Sequence, residues 1–361
     1  MSNGRWEYCI SHKNDEVNKF IDIYFSQPDK KVLLIGGAGF DPRTCIFPKM
    51  LYEVLKEKIK IILIKEERPN PPGDLTEKSK NNIDSLKSCI SNIEIIPVDI
   101  FSKDLAVTGG ITIVRKLRKH IENGYTDIIF DQSAMSIGIC FPLMRYALEI
   151  QEKLEPATNV HVVVSANAKI DEAIKSLPTD KPREVPGFKG GFGLTESDDA
   201  AKLWLPQLAF KQKESLNQLY TDIEPHDICP ILPFPATDPR IGDELLKHYD
   251  KTLLETWEVD PRNIIYAAEN NPLDLYRTIL RLDNERSEVF EKIRGSLMIL
   301  SPSGSKMHAI GAFMAAVERN LPMRYIESVS YKVDWSIIDQ YIEKNTEIIH
   351  LWLAGNAYTS T

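Results

Sequence analysis

Lys31-Val32-Leu33-Leu34-Ile35-Gly36-Gly37-Ala38-Gly39-Phe40 is an apolar run of strand length that ends in a glycine-rich turn. A continuous apolar run is typical of a strand that is buried on both faces of a parallel sheet. The residues that follow, 42–57, carry Ile46, Met50 and Val54 at helical spacing. A buried strand, a tight turn and a helix with one apolar face together predict an α/β protein whose parallel sheet begins here.

The same arrangement recurs in the second half of the chain. Strand-like runs pair at offsets of 170 or 171 residues, namely 31–40 with 201–210, 61–64 with 231–234, 92–96 with 263–267 and 127–131 with 297–301. Helical patterns lie between them, as at 137–154 and 307–317. We therefore predict two Rossmann-like units, each a mostly parallel sheet with helices on both faces, that are related by an internal duplication. The alternative is that two unrelated α/β domains share this spacing.

Length and helix-breaking residues divide the chain into predicted domains. With 361 residues, 43% of them hydrophobic and 27% charged, the chain has the composition of a globular protein of two ordinary domains. Glycine and proline are concentrated in 181–199, which predicts a linker or mobile loop with a hinge at Gly190-Gly191. The predicted order is a strand and helix arm (1–29), a first unit (30–180), the linker (181–199) and a second unit (200–361).

Charge and cysteine usage exclude several classes of function. A net charge of −8 argues against general binding of nucleic acids or of anionic membrane surfaces, which need clustered excess Lys and Arg. Five scattered cysteines without a CxxC pair predict neither a disulfide framework nor a zinc site, and seven dispersed histidines show no metal-ligand spacing. No stretch approaches the ~18 apolar residues that a membrane helix needs. We therefore predict a cytoplasmic protein without a metal or another cofactor.

The first candidate site is the glycine loop after the opening strand. Open parallel sheets bind ligands beyond the carboxyl ends of their strands, where helix N-termini favour anions. Gly37 and Gly39 allow a close approach of the backbone, and Arg43 has the donors to fork onto a phosphate. Neither the dinucleotide fingerprint nor a Walker loop is present. The alternative is a tight turn in which Asp41 caps the next helix and pairs with Arg43.

The second candidate site opens the apolar helix near the end of the second half. Its members are Ser303, Gly304, Ser305 and Lys306. Hydroxyls, a glycine and a lysine at a helix start predict a phosphate cradle. The alternative is an N-cap by Ser303 or Ser305 with a solvated lysine. We interpret His308, in the first turn of that helix, as a partly buried helix residue rather than a catalytic base.

The third candidate site, Asp131 and Ser133, stands at the equivalent position of the first half. An acidic residue at a strand end can bind a ribose hydroxyl, act as a base or cap the helix that follows. No lysine stands here where Lys306 stands in the second half. The two halves have therefore diverged in charge at this loop.

The second candidate site resembles a known motif. A strand, a small polar turn, Gly304-Ser305-Lys306-Met307 and an apolar helix with Gly311-Ala312 are similar to the Thr-Gly-Gly-Thr-Lys-Pro-Met type motif of CARF domains. Those domains are Rossmann-like sensors of cyclic oligonucleotides in prokaryotic defence. Residues 131–136 match the motif more loosely in the first half. Two fused units of this kind resemble the SAVED domain.

The resemblance implies a sensor or scaffold subunit of an antiphage defence system. Such a subunit is non-catalytic by itself, binds a nucleotide-like ligand between its two units and signals to a separate effector protein. An assembly of identical subunits is compatible with the sequence. The residues leave an alternative open, a nucleotide-processing hydrolase or glycosidase with Asp41 or Asp131 as the base. A third interpretation is a subunit whose loops are structural and whose role is assembly with partners.

Overall fold

The computed structural model describes residues 4–188, 200–290, 295–344 and 346–358. Its strands are β1 (Ser11–Lys13), β2 (Val32–Gly37), β3 (Ile59–Glu67), β4 (Ile93–Asp99), β5 (Asp127–Asp131), β6 (Asn159–Ala166), β7 (Ile174–Pro178), β8 (Arg183–Glu184), β9 (Ala201–Pro206), β10 (Asp227–Ile228), β11 (Ile231–Pro233), β12 (Ile265–Ala267), β13 (Ser296–Ser301), β14 (Arg324–Tyr325), β15 (Ser328–Val333) and β16 (Glu347–Ala354). Its α-helices are α1 (Asp15–Phe20), α2 (Ile46–Leu55), α3 (Gly73–Cys89), α4 (Gly109–Ile121), α5 (Ile137–Ile150), α6 (Ala168–Ala173), α7 (Lys213–Ile223), α8 (Ile241–Lys251), α9 (Pro272–Phe290), α10 (Lys306–Arg319) and α11 (Trp335–Tyr341). Within these residues, no helix has both the length and the apolar character needed to cross a membrane.

The chain forms two compact units. Unit 1 comprises Met1–Tyr8 and Lys175–Tyr331, and unit 2 comprises Cys9–Ile174 and Lys332–Thr361. This division differs from the predicted domains at both ends of the chain. The first residues of the predicted arm belong with the second half, and the last residues of the predicted second unit belong with the first half. The physical reason at the carboxyl end is β16, which pairs with β6 in the sheet of unit 2.

Unit 2 is built on a seven-stranded sheet in the order β1-β16-β6-β5-β2-β3-β4. β2 to β6 are parallel to one another, whereas β16 pairs antiparallel with β6 and β1 pairs antiparallel with β16. The prediction of an α/β fold with a mostly parallel sheet is thereby confirmed. All six residues of β2 are buried, as its continuous apolar run predicts. Leu34 of this strand shares a core cluster with Phe47 and Leu51 of α2.

Unit 1 repeats the same strand order on a smaller scale. β9 lies between β10 and β13, and all three are parallel. β11 pairs with β12, and single bridges connect Gln207 with Ile231 and Leu300 with Met323. β10 and β11 thus lie in succession along the same side of β9. With these two strands at one position, the order β12-β10/β11-β9-β13-β14 corresponds to β4-β3-β2-β5-β6 of unit 2. The four predicted pairs of strands therefore stand at equivalent positions, while their origin by duplication stays a prediction.

The first part of the predicted linker is packed into unit 1. β8 pairs antiparallel with β14, and the side chains of Val185 and Phe188 are fully buried. The amide of Val185 also donates to the carbonyl of Met323. Residues 181–188 are therefore not a free connection, because their backbone and apolar side chains contact the sheet. The rest of the predicted linker, 189–199 with the hinge at Gly190-Gly191, lies outside the described residues.

In unit 1, α9 and α10 approach each other at a point where only glycine fits. A Cβ atom on Gly311 would lie 2.5 Å from the carbonyl oxygen of Pro272 and 3.1 Å from Cβ of Leu275. We expect Gly311→Ala to lower the free energy of unfolding by about 1–3 kcal/mol, the usual effect of overpacking, despite alanine's higher helix propensity. Gly242→Ala in α8 is the control, because its Cβ would meet Pro233 at an ordinary 3.6 Å. Urea unfolding measures the free energy of unfolding of both variants. Equal free energies for Gly311→Ala and Gly242→Ala would contradict the close approach of α9 and α10.

Candidate functional site

Each unit has a topological switch point, the crevice where successive connections leave a central strand in opposite directions. In unit 2 it lies between β2 and β5, and in unit 1 between β9 and β13. Open α/β sheets bind ligands at this crevice, outside the carboxyl ends of the strands. All three predicted candidate sites follow strands that border these two switch points. The structure thus brings the first and third together in unit 2 and places the second in unit 1.

In unit 2, Arg43 is held by carboxylates of the protein. Its backbone amide donates to Oδ1 of Asp41 at 3.0 Å, and its Nη2 donates to Oδ2 at 2.7 Å. Nη2 also lies 2.8 Å from Oδ1 of Asp171, and the guanidinium is 1% exposed. Burial alone would lower the pKa of Arg43, but the charges of Asp171 and Asp41 raise it above its usual value. Of the two interpretations of the first candidate site, the cap and ion pair is the one that the structure shows.

The glycine loop of unit 2 packs against the loop that follows β5. A Cβ atom on Gly37 would lie 3.2 Å from the carbonyl oxygen of Ala134 and 3.3 Å from Cγ of Met135. The hydroxyl of Thr44 donates to the carbonyl of Gly37. Gly39, in contrast, has no atom within 4 Å of its Cβ position. The missing side chain at Gly37 therefore allows the glycine loop to pack against the loop after β5.

The polar side chains of the third candidate site are also hydrogen-bonded to other groups of the protein. Asp131 is buried, and its Oδ1 accepts a hydrogen bond from the amide of Ser133 at 2.9 Å. Oγ of Ser133 accepts from the amide of Ser165 at 2.8 Å. At the start of α5, Oε1 of Glu66 accepts from the amide of Ser136 at 2.9 Å. A carboxylate of the chain thus occupies a position at this helix N-terminus that would suit an anion.

In unit 1, a glutamine that the sequence prediction did not include organises the switch point. Oε1 of Gln207 accepts from the amide of Gly304 at 3.2 Å, and its Nε2 donates to the carbonyl of His308 at 2.9 Å. A Cβ atom on Gly304 would lie 3.0 Å from Cβ of Gln207, so glycine permits this approach. The signal in the sequence was a polar residue at the end of an apolar strand, at the repeat position of Gly37.

Ser305 and His308 fasten the first turn of α10. Oγ of Ser305 accepts from the amide of His308 at 3.1 Å, which is the N-cap of the alternative interpretation. Nε2 of His308 lies 3.2 Å and 3.1 Å from the carbonyl oxygens of Ala267 and Ala268, to which it donates. Burial lowers the pKa of His308, so the ring is neutral and structural. The interpretation of His308 as a helix residue agrees with this arrangement.

The two switch points differ in charge. Ser303, Ser305 and Lys306 are partly exposed at the start of α10. At the repeat offset of 170, Lys211 replaces Asp41 and Lys306 replaces Ser136. The same offset puts Ser301 at the position of Asp131 and Ala236 at that of Glu66. At the three offset positions where unit 2 has carboxylates, unit 1 therefore has lysine, alanine and serine.

The sequence prediction missed a chain of three histidines in unit 2, of which His161 and His350 are buried and His12 is half-buried. Nδ1 of His12 lies 3.0 Å from Nδ1 of His350, whose Nε2 lies 2.9 Å from Nδ1 of His161. Nε2 of His161 lies 3.1 Å from Oδ1 of Asp127. The signal was a single histidine inside each of two apolar strands, Val160-His161-Val162 and Ile349-His350-Leu351. Among the described residues, no group of three or more His, Cys, Asp or Glu is placed to hold a metal ion.

Comparisons with known proteins do not assign a family. No family model matches the chain, and no curated protein matches it. Similar solved structures include spermidine synthase from Thermotoga maritima, at 19% identity over 41% of this chain and 43% of that chain, with a TM-score of 0.23. They also include universal stress proteins from Pseudomonas aeruginosa UCBPP-PA14 (10% identity, 87% of this chain, 97% of that chain, TM-score 0.23) and Archaeoglobus fulgidus DSM 4304 (11%, 82%, 96%, 0.24). The chain spans less than half of the synthase, and TM-scores of this size carry no argument about function.

Proposed function

We propose that the protein binds a nucleotide-like anion at the switch point of unit 1 and acts as a sensor subunit. The observation that carries this proposal is the position of Ser303, Ser305 and Lys306, which stand at the start of α10 beside the end of β9. Phosphate oxygens accept hydrogen bonds from hydroxyls, lysine and the amides of a first helical turn. Gln207 fixes the position of the loop, because its side chain is hydrogen-bonded both to the amide of Gly304 and to the first turn of α10.

Comparison of the two units supports unit 1 as the binding unit. At the start of α5, the amide of Ser136 already donates a hydrogen bond to the carboxylate of Glu66. An anion bound there would therefore be repelled by that carboxylate. At the start of α10 the N-cap is Ser305 and the first helical residue is Lys306, while the 170-residue offset puts Ala236 at the position of Glu66. Glu269, in the loop after β12, accepts from the amide of Thr237 with Oε2, and its backbone carbonyl accepts from Oγ of Ser305. An anion is therefore favoured at unit 1 and disfavoured at unit 2.

The ligand class and the cellular role rest on the motif. Residues 304–307 resemble the CARF motif, which supports a cyclic oligonucleotide as the ligand and a defence system as the setting. A separate effector protein would then read the bound state. The alternative of an enzyme with Asp41 as the base has less support, because both oxygens of Asp41 accept from Arg43. Asp131, the other candidate base, is buried and accepts from the amide of Ser133.

Retention of nucleotides by the purified protein tests the proposal. NAD, ATP and cyclic di-, tri- and tetranucleotides are incubated with the protein, and the retained fraction is analysed by mass spectrometry after ultrafiltration. We expect one compound to be retained unchanged. Lys306→Ala should weaken its binding by about 10- to 100-fold, the usual worth of a hydrogen bond to a charged group. Lys247→Ala, which removes an exposed lysine of α8 in the same unit, is the control.

Three other outcomes would each contradict the proposal. Conversion of a compound to product would favour an enzyme. Equal retention by the wild type and Lys306→Ala would exclude the loop of α10 as the site. If no compound is retained on the filter, a role in assembly with partner proteins would be better supported than a sensor. Thermal unfolding of Lys306→Ala and Lys247→Ala shows that both variants are folded in each comparison.

A further inference from the structure

The histidine chain of unit 2 crosses four adjacent strands on one face of the sheet. His12 of β1 is opposite His350 of β16, and His350 is opposite Val163 of β6. His161 lies two residues before Val163 and therefore on the same face. It is opposite Ile129, which places Asp127 on that face as well. The four side chains thus form one diagonal row from the edge of the sheet to its interior.

The inner end of the row is an ionised carboxylate. Asp127 is fully buried, and its oxygens accept from the hydroxyls of Tyr24 at 2.9 Å and Thr126 at 2.7 Å. Nζ of Lys30 lies 3.4 Å from Oδ2. Burial would raise the pKa of Asp127, but hydrogen bonds from His161 and Thr126 and the charge of Lys30 lower it. Asp127 therefore accepts hydrogen bonds and donates none.

The carboxylate fixes the tautomer of every ring in the row. His161 donates from Nε2 to Asp127, which leaves its Nδ1 as an acceptor. His350 donates from Nε2 to that nitrogen, and its own Nδ1 accepts from Nδ1 of His12. All three N–H groups point toward Asp127. The nitrogen at the outer end, Nε2 of His12, is consequently an acceptor.

The outer end of the row lies in a groove. The groove has a volume of about 500 Å³ and is lined by Ser11, His12, Glu16, Lys19, Phe20, Ile23, Tyr24 and Gln27. The titratable and charged groups around the row are Glu16 and Lys19 in the groove, Tyr24 and Lys30 beside Asp127, and Asp29 near Tyr24. Phe20 stacks on both His12 and His350 at 4.5 Å between ring centroids, which excludes water from their contact.

We propose that this groove is an acid–base site, independent of the anion site of unit 1, and that His12, His350, His161 and Asp127 are its proton relay. A molecule with an N–H or O–H group gives its proton to Nε2 of His12 and becomes its conjugate base. The Nδ1 proton of His12 passes to His350, and the Nε2 proton of His350 passes to Nδ1 of His161. One proton is thereby taken up, and His161 becomes an imidazolium beside Asp127.

Neutral rings in the resting state support the relay. Burial lowers the pKa of His161, although its hydrogen bond to Asp127 acts in the opposite direction. Burial lowers the pKa of His350 well below its usual value, and the neighbouring histidines lower it further. Both rings are therefore neutral at pH 7 and able to pass a proton. In the part of the chain that the structure describes, His161 is the ring of the row that is hydrogen-bonded to a carboxylate, which makes it the resting place of the extra proton.

Histidine ¹⁵N chemical shifts test the relay in the full chain. At pH 7.5 we expect a protonated Nε2 in His161 and His350 and a protonated Nδ1 in His12. On acidification, the three rings should respond with one common midpoint, because the proton is shared along the row. Asp127→Asn keeps an oxygen acceptor but removes the charge, and should lower that midpoint by about one pH unit, a tenfold loss of proton affinity. His120→Gln, elsewhere in unit 2, is the control.

Two results would overturn the relay. One is a different set of tautomers at pH 7.5, and the other is a titration of His12 with no response of His161 and His350. If Asp127→Asn does not fold, carbethoxylation of the wild type by diethyl pyrocarbonate decides the point, because the reagent attacks an unprotonated, accessible imidazole nitrogen. Peptide mapping should show modification of His12 at neutral pH, and an unmodified His12 would contradict an acceptor in the groove.

Discussion

Replacing Arg43 by methionine is expected to lower the free energy of unfolding by about 3–5 kcal/mol, the usual cost of breaking a buried ion pair. The guanidinium is 1% exposed and lies 2.7 Å from Asp41 and 2.8 Å from Asp171. Without it, the carboxylate of Asp41 remains buried with its strongest donor gone. Urea unfolding at pH 7.5, followed by circular dichroism, measures the loss.

The chain contains its own controls for this variant. The sequence Asp-Pro-Arg recurs at 238–240 and 260–262, and in each copy the arginine amide donates to Oδ1 of the aspartate, at 3.0 Å and 2.9 Å. The guanidinium groups are 76% exposed in Arg240 and 89% exposed in Arg262. Because exposed ion pairs contribute about 0–1 kcal/mol, Arg240→Met and Arg262→Met should be nearly neutral. Equal losses in all three variants would show that the local motif matters and burial does not.

These three copies show why the first candidate site could not be decided from sequence. The local hydrogen bonds of Asp-Pro-Arg follow from residues two positions apart, so the cap of Asp41 was available as an alternative. Whether the guanidinium points to solvent or into the protein depends on Asp171, which α6 brings in from more than 100 residues away. No local pattern encodes that contact.

The fold was predictable where the apolar runs are long and their order repeats. β2, β5, α5 and α10 lie close to the predicted segments, because continuous apolar strands and helical spacing are strong signals. The place of β16 was not predictable, although Ile348-Ile349-His350-Leu351-Trp352-Leu353 is a clear apolar run. A strand pattern does not name its partner, and this strand pairs with residues 159–166, far away in sequence.

The polar interior was harder to predict than the fold. His12, His161 and His350 are separated by 149 and 189 residues, and spacing rules for metal or catalytic motifs do not apply over such distances. Only the sheet register brings them onto one diagonal. A lone polar residue within a buried strand was the usable signal, since such a residue requires a partner.

Acidification is expected to destabilise unit 2 in the window below pH 6.5. Burial lowers the pKa of His161 and His350 in the folded state, whereas an unfolded histidine titrates near 6.5. Below that pH the unfolded chain binds more protons than the folded chain, so stability is fully present above pH 6.5 and falls as the pH decreases. A ring that stays neutral while its unfolded counterpart is protonated removes at most about 1.4 kcal/mol of stability per pH unit.

Urea unfolding at half-unit steps from pH 7.5 to pH 5 measures this slope. His350→Gln keeps a donor and an acceptor but does not titrate, and should therefore reduce the slope by up to about 1.4 kcal/mol per pH unit, while lowering stability at pH 7.5. His120→Gln, which removes a partly exposed histidine of the same unit, is the matched control. Asp127 does not add to the slope here, because its lowered pKa removes stability only below its unfolded value of about 3.9. An unchanged slope in His350→Gln would show that the buried row does not govern the acid response, whereas a smaller slope would assign the loss to the neutral rings.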